Sequence, residues 1–194
     1  MQMAGVLEAA EADSAAARAA LQSMINTEFL PFTEIELLSL ARSFEGVARL
    51  AFAAQVRIAG IIDKRKIADE FGATSTSALL RQTLQISAPD ARHRLNTAKA
   101  ILPQHSISGG VIDPVLPLLG AAIGKARIGV EQTRTIVATM SKLPAEVPPE
   151  LRHTVEELLV DEASRAEPKP FAHYARSLAD YCDPDGTLDE HADP

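Results

Sequence analysis

Apolar positions with a helical period dominate the chain from residue 33 onward. Thr33 followed by Glu36 forms a capping-box pair, and Phe32 and Leu37 stand at the two positions of a hydrophobic staple, so a helix start is marked twice. From there Leu37, Ala41, Phe44, Ala48, Ala51, Ile58 and Ile62 recur at alternating steps of four and three, broken only at Gln55. The spacing predicts one long helix over about 33–67, roughly 50 Å at ~1.5 Å per residue, on which the rest of a bundle is organised. Gly60 is placed to let another helix approach closely. The run Asp63-Lys64-Arg65-Lys66 closes the helix, with cations at the negative end of its dipole.

A helix-turn-helix-like pair follows over about 75–102. Gly72 breaks the chain, Thr74 or Ser75 caps the next helix, and Leu79, Leu80 and Leu84 give that helix an apolar face. Ser87-Ala88-Pro89-Asp90 again has the form of a cap, with proline in the first turn. On the second helix Ala91, Leu95, Ala98 and Leu102 make the inward stripe. Arg92, Asn96 and Lys99 share an adjoining face, and Arg94 flanks the stripe on its other side. Residues 106–114 read as a loop. Helices are then expected from Leu116 to Ala126, Val130 to Leu143, Pro148 to Ala166 and Pro170 to Tyr181, punctuated by prolines where a missing N–H costs least.

The predicted fold is all-α. Residues 1–32 form an Ala-rich arm that buries little area, 33–182 a single helical domain, and 183–194 an acidic linker or tail. The 194-residue length and 46% apolar content suffice for a real core. The longest apolar stretches are interrupted well before the ~18 residues that suggest a membrane span. The N-terminus lacks the basic head and apolar run of a signal peptide. Cys182 is the only cysteine, which excludes an internal disulfide framework and any multi-cysteine zinc site, and a cytoplasmic setting is the default.

Charge sharpens the picture. The net charge of −7 divides into −3 over residues 1–32, zero over 33–70, +3 over 71–102, +2 over 103–145 and −9 over 146–194. An acidic chain repels phosphate at long range unless its cations are grouped on one surface. Arg81, Arg92, Arg94, Asn96 and Lys99 are therefore the candidate DNA contacts, cations for phosphates and Asn or Arg for base edges. Lys125, Arg127 and Arg134 extend the set if their helix packs beside it. The bland alternative is an ordinary exposed helix face.

Catalytic chemistry finds no constellation. His93, His105, His153, His173 and His191 lie on separate elements without paired metal-ligand spacing, and His93 reads as a solvated surface residue. Glu156, Glu157, Asp161 and Glu162 have i, i+4 and i+5 separations but no histidine partners, so they read as a solvated acidic face. Dinucleotide and P-loop glycine patterns are absent. The expectation is a non-enzymatic chain with no metal and no cofactor, whose partner is DNA or a second copy held through the long helix.

Several landmarks in order resemble one family. Gly72-Ala73-Thr74-Ser75 precedes a Leu-rich helix, Ser87 with Ala91 and Arg92 opens the next, and the SGGVIDPVLP loop follows. Then come Gly124-Lys125-Ala126-Arg127-Ile128-Gly129-Val130-Glu131, Leu143-Pro144-Ala145-Glu146-Val147 and Asp183-Pro184-Asp185-Gly186-Thr187. The series, from about Thr33 to Gly186, resembles the N-terminal domain of unknown function of actinobacterial HNH endonucleases, the thirteen-E-twelve repeat proteins of mycobacteria. Leu79 stands where such proteins usually have Trp, and Gln132 where many have His. The resemblance implies an accessory domain attached to or derived from a DNA-cutting enzyme, and the expectation is that it positions that nuclease on DNA; the HNH motif itself is not in this chain.

Overall fold

A computed structural model describes residues 2–106 and 109–182. The acidic tail expected over 183–194 lies outside the described residues. The chain divides into two compact units, Met1–Ser43 and Phe44–Pro194.

In the first unit, α1 (Gln2–Ile25) is helical, and its described side chains are exposed, as its alanine content dictates. The start of α2 (Glu34–Lys64) carries the capping box in full. Glu36 Oε2 accepts from Thr33 N and from Thr33 Oγ1, both at 2.8 Å, and Thr33 Oγ1 accepts from Glu36 N at 3.4 Å. The Thr33 backbone bond holds the Glu36 carboxyl below its ordinary range, with the hydroxyl adding to it.

The second unit contains the rest of α2, then α3 (Ile67–Glu70), α4 (Thr76–Leu84), α5 (Ala88–Ile101), α6 (Pro117–Gly124), α7 (Val130–Lys142), α8 (Pro149–Ala163) and α9 (Pro168–Cys182). Part of the expected loop over 106–114 is a short strand, and residues 107–108 lie outside the described residues. β1 (Gln104–His105) pairs antiparallel with β2 (Val111–Ile112), Gln104 opposite Ile112. The long helix stops at Lys64, short of residue 67. Lys66 adopts a left-handed conformation (φ 53°) and starts the single turn α3 instead.

The expected stripe on α2 is one residue out of phase. Ala41, Ala48, Ala51 and Ile58 are exposed, while Phe52, Val56 and Ala59 are buried. The helix is apolar around most of its circumference between Leu50 and Ile62, so periodicity alone does not choose the face. The buried set is the one that avoids Gln55. A second correction concerns the bundle's centre. The largest core lies between α6, α7, α8 and α9, around the fully buried Leu119, Ile136, Leu159 and Phe171. Each such side chain stabilises the fold by about 1.5–3 kcal/mol. α2 adds two smaller clusters, Phe52 and Val56 against Ala98, and Ala59 with Leu80, Ala91 and Leu95.

α5 is the hub between these clusters. Ser87 Oγ caps it by accepting from Asp90 N at 3.2 Å, and Ser75 Oγ does the same for α4 from Ala78 N at 3.1 Å. Gly60 lets α2 lie close. A Cβ there would sit 2.6 Å from Leu102 Cδ1 and 2.9 Å from Ala98 Cβ. Gly120 does the same for α6, where a Cβ would lie 3.3 Å from that of Ile101. α7 completes the surround of α5, and Leu116 N donates to Ala100 O at 2.9 Å, tying the segment before α6 to the end of α5.

Candidate nucleic-acid interface

Burial on two faces leaves α5 four exposed positions, Pro89, Arg92, Asn96 and Lys99. All four line one groove of about 940 Å³. Its opposite wall is α7, which contributes Arg134, Val137, Ala138 and Ser141. The segment Pro114–Pro117 and the first turn of α8, Pro149 to His153, close the ends. The buried Leu116, Met140, His93 and Glu156 form the floor.

The groove is cationic in an acidic protein. Arg92 and Arg134 are exposed, and neither makes a hydrogen bond or ion pair among the described residues. Lys99 has a loose pair with Asp63, Nζ to Oδ2 3.7 Å, and is 64% exposed, so water screens that pair to little. Arg152 is spent differently. Its guanidinium donates to the carbonyls of Leu143 at 3.0 Å, Val147 at 3.2 Å and Pro144, stitching the α7–α8 turn. The first turns of α5, α6 and α8, each a positive dipole end, place Pro89, Pro117 and Pro149 on the lining of the groove.

One of those dipole ends is already neutralised. Glu156, 2% exposed, accepts from Leu119 N at 2.9 Å and so caps α6 from α8. Burial raises its pKa, while the Leu119 and Leu118 N–H groups and His153 pull the other way. This corrects the expectation of a solvated acidic face over Glu156, Glu157, Asp161 and Glu162. Glu156 points into the core, and only the others face water or surface cations: Asp161 pairs with Arg127 at 3.5 Å and Glu162 with Arg165 at 3.6 Å.

His93 is likewise a core residue. It is 6% exposed, its ring stacks on Phe52 with centroids 5.4 Å apart and planes at 14°, and Nδ1 lies 3.4 Å from Thr97 Oγ1. Its Nε2 is buried without a hydrogen-bond partner in the described chain. Burial pushes its pKa down to about 4, and the Arg134 charge adds to that; Asp90 and the Val130 carbonyl oppose it only in part.

The five sequence candidates separate. Arg92, Asn96 and Lys99 stand together on the groove wall. Arg94 turns inward, its side chain 12% exposed and its guanidinium 2.9 Å from Asp90 Oδ2. Arg81 is exposed on α4 and does not line the groove. Among the conditional candidates Arg134 joins the set, whereas Lys125 and Arg127 lie elsewhere. Sequence reasoning missed His153 and Arg152. Glu156 was legible only as a carboxylate in step with Val155, Leu159, Val160 and Ala163. Cys182 is partly buried against the main core, and burial pushes its thiol pKa up.

Fold and groove together define an all-α domain, bearing one minimal β-hairpin, that gathers cations into one cleft. No helix among the described residues is long and apolar enough to cross a membrane. The chain belongs to the DUF222 family, a domain of unknown function, whose model matches residues 38–194. Two uncharacterized proteins of Mycobacterium tuberculosis, from strains CDC 1551 / Oshkosh and ATCC 25618 / H37Rv, are each 26% identical over 129 residues. The match covers 64% of this chain and 28% of each relative, so the chain spans little more than a quarter of the curated proteins it resembles. No solved structure matches the chain. Gln132 is buried and its Nε2 donates to Ala166 O at 3.3 Å, joining α7 to the end of α8.

Proposed function

We propose that this chain is a non-catalytic helical module that holds DNA through the groove between α5 and α7 and so positions an HNH-type nuclease segment of a longer protein. The observation that carries the reading is the grouping of Arg92, Lys99 and Arg134 on one groove in a chain of net charge −7. Grouped cations displace the counterions of a phosphate backbone, which is the main source of affinity for nucleic acid. The nuclease link rests on the ordered landmarks from Gly72 to Gly186, and a cytoplasmic setting agrees with the single Cys182. Fluorescence anisotropy with labelled DNA at two salt concentrations tests the reading. Affinity should fall steeply with salt, and Arg92→Ala/Lys99→Ala should lower the log–log slope by about 2. Absence of binding at low salt removes the proposal.

A second reading has its own support. Val47, Leu50, Ile58 and Ile61 on α2 are 41–60% exposed, an apolar face that suits a second copy of the chain. Light scattering of the wild type and of Ile58→Glu tests it. A monomer at high concentration in both rules out self-association.

A further inference from the structure

Resting on the proposal that the groove holds DNA, we infer that it takes an unpaired strand, not a duplex. A helix that reads duplex DNA protrudes into a major groove about 12 Å wide and 8.5 Å deep and presents much of its circumference. α5 does the opposite. Its exposed strip is one row of side chains, and the helix is walled by α7 on one flank and by the Pro114–Pro117 segment beyond its end. The cations are therefore reached from within a concavity. A strand that enters such a groove can lay its phosphates along Arg92, Lys99 and Arg134 while its sugars and bases meet the surface beneath.

That surface is mainly apolar. Val115, Val137 and Ala138, which keep exposed surface, offer hydrocarbon to base faces, which a duplex keeps stacked on one another and a single strand leaves bare. Arg92 and Lys99 are seven residues apart on one face, about 10 Å along the axis, so they meet successive phosphates and not one. Four rim prolines, Pro89, Pro114, Pro117 and Pro149, fix the groove's edges before anything binds, which lowers the ordering cost of binding. Among the described residues no Phe, Tyr or Trp lines the groove, and the exposed His153 imidazole is a ring placed to serve.

The test uses the whole chain and fluorescein-labelled 20-mers, a thymidine single strand and a mixed-sequence duplex, by anisotropy at 50 and 200 mM NaCl. The single strand should bind at least tenfold more tightly than the duplex. Ala138→Glu, which plants an acid on an exposed groove position, and Arg92→Ala/Arg134→Ala should each weaken single-strand binding at least tenfold. Arg81→Ala, outside the groove, should leave it within twofold. Circular dichroism melts of each variant separate lost binding from lost folding, and the exposed Lys99→Ala gives a second groove variant if one of these fails to fold. Equal or tighter duplex binding overturns the inference and leaves the DNA reading standing, whereas a single strand indifferent to every folded groove variant overturns the inference and removes the groove as the DNA site. No binding of either DNA at 50 mM overturns both.

Discussion

Replacing Gly60 by alanine sets two known effects against each other. In a helix interior the change gains about 1 kcal/mol of propensity. Here the new methyl would lie 2.6 Å from Leu102 Cδ1 and 2.9 Å from Ala98 Cβ. Leu102 is half-buried and its chain end can swing aside. The Ala98 methyl is fixed to the α5 backbone, so relief there requires α2 and α5 to separate along a seam that also holds Phe52, Val56 and Ala59. Overpacking of this kind costs about 1–3 kcal/mol, and the rigid contact points to the upper part of that range. The net expectation for Gly60→Ala is a loss of about 1–2 kcal/mol, or a melting temperature lower by roughly 3–6 °C for a domain of this size. Thermal and urea unfolding followed by circular dichroism measure it. Combined with Ala98→Gly, which removes the rigid contact, the double variant should show a favourable coupling of about 1 kcal/mol or more. A Gly60→Ala protein as stable as the wild type, or more so, refutes the close approach of the two helices.

Four further variants probe the helices around the groove. The folded pKa of His93, about 4, lies below the ordinary 6.5, so the unfolded chain takes up the proton first. Its contribution is complete above pH 6.5 and is lost as pH falls towards 4, by at most about 3–4 kcal/mol at ~1.4 kcal/mol per unit; His93→Gln should flatten urea stability over that window. Glu156→Ala leaves the buried Leu119 N–H without an acceptor and should lower stability by about 1–3 kcal/mol. Glu156→Gln keeps the acceptor. Because burial raises the folded pKa of Glu156, ionisation disfavours the fold increasingly as pH rises through that value, and the Gln variant should gain on the wild type there. Ser87→Ala should cost about 1 kcal/mol in thermal melts by uncapping α5.

Helix starts were the most legible part of the chain because their chemistry is local. Thr33 with Glu36, Ser75 and Ser87 each satisfy N–H groups within three residues, and each is found where the spacing predicts. Burial faces were less legible where a helix is apolar all round, as α2 shows. The site divided along the same line. Arg92, Asn96 and Lys99 share a face by helical geometry alone, so sequence could group them. Arg134 joins them only through the packing of α7 on α5, and no spacing within the chain encodes that. His93 was misread because α5 is buried on two sides. Its Ala91-Leu95-Ala98 stripe announces one side; the other rests on His93 and Thr97, polar residues that pattern reading assigns to water.

The crowding of α5 also limits how this fold can diversify. Ten of its fourteen residues are wholly or partly buried by the packing around them, so most changes there are paid in stability. Pro89, Arg92, Asn96 and Lys99 carry no such burden, and every one of them faces the groove. Substitutions that the core tolerates on this helix are therefore substitutions that rewrite the groove's chemistry. Relatives can keep the same core while their clefts drift in charge and in what they hold, and α5 can change its partner without changing its place.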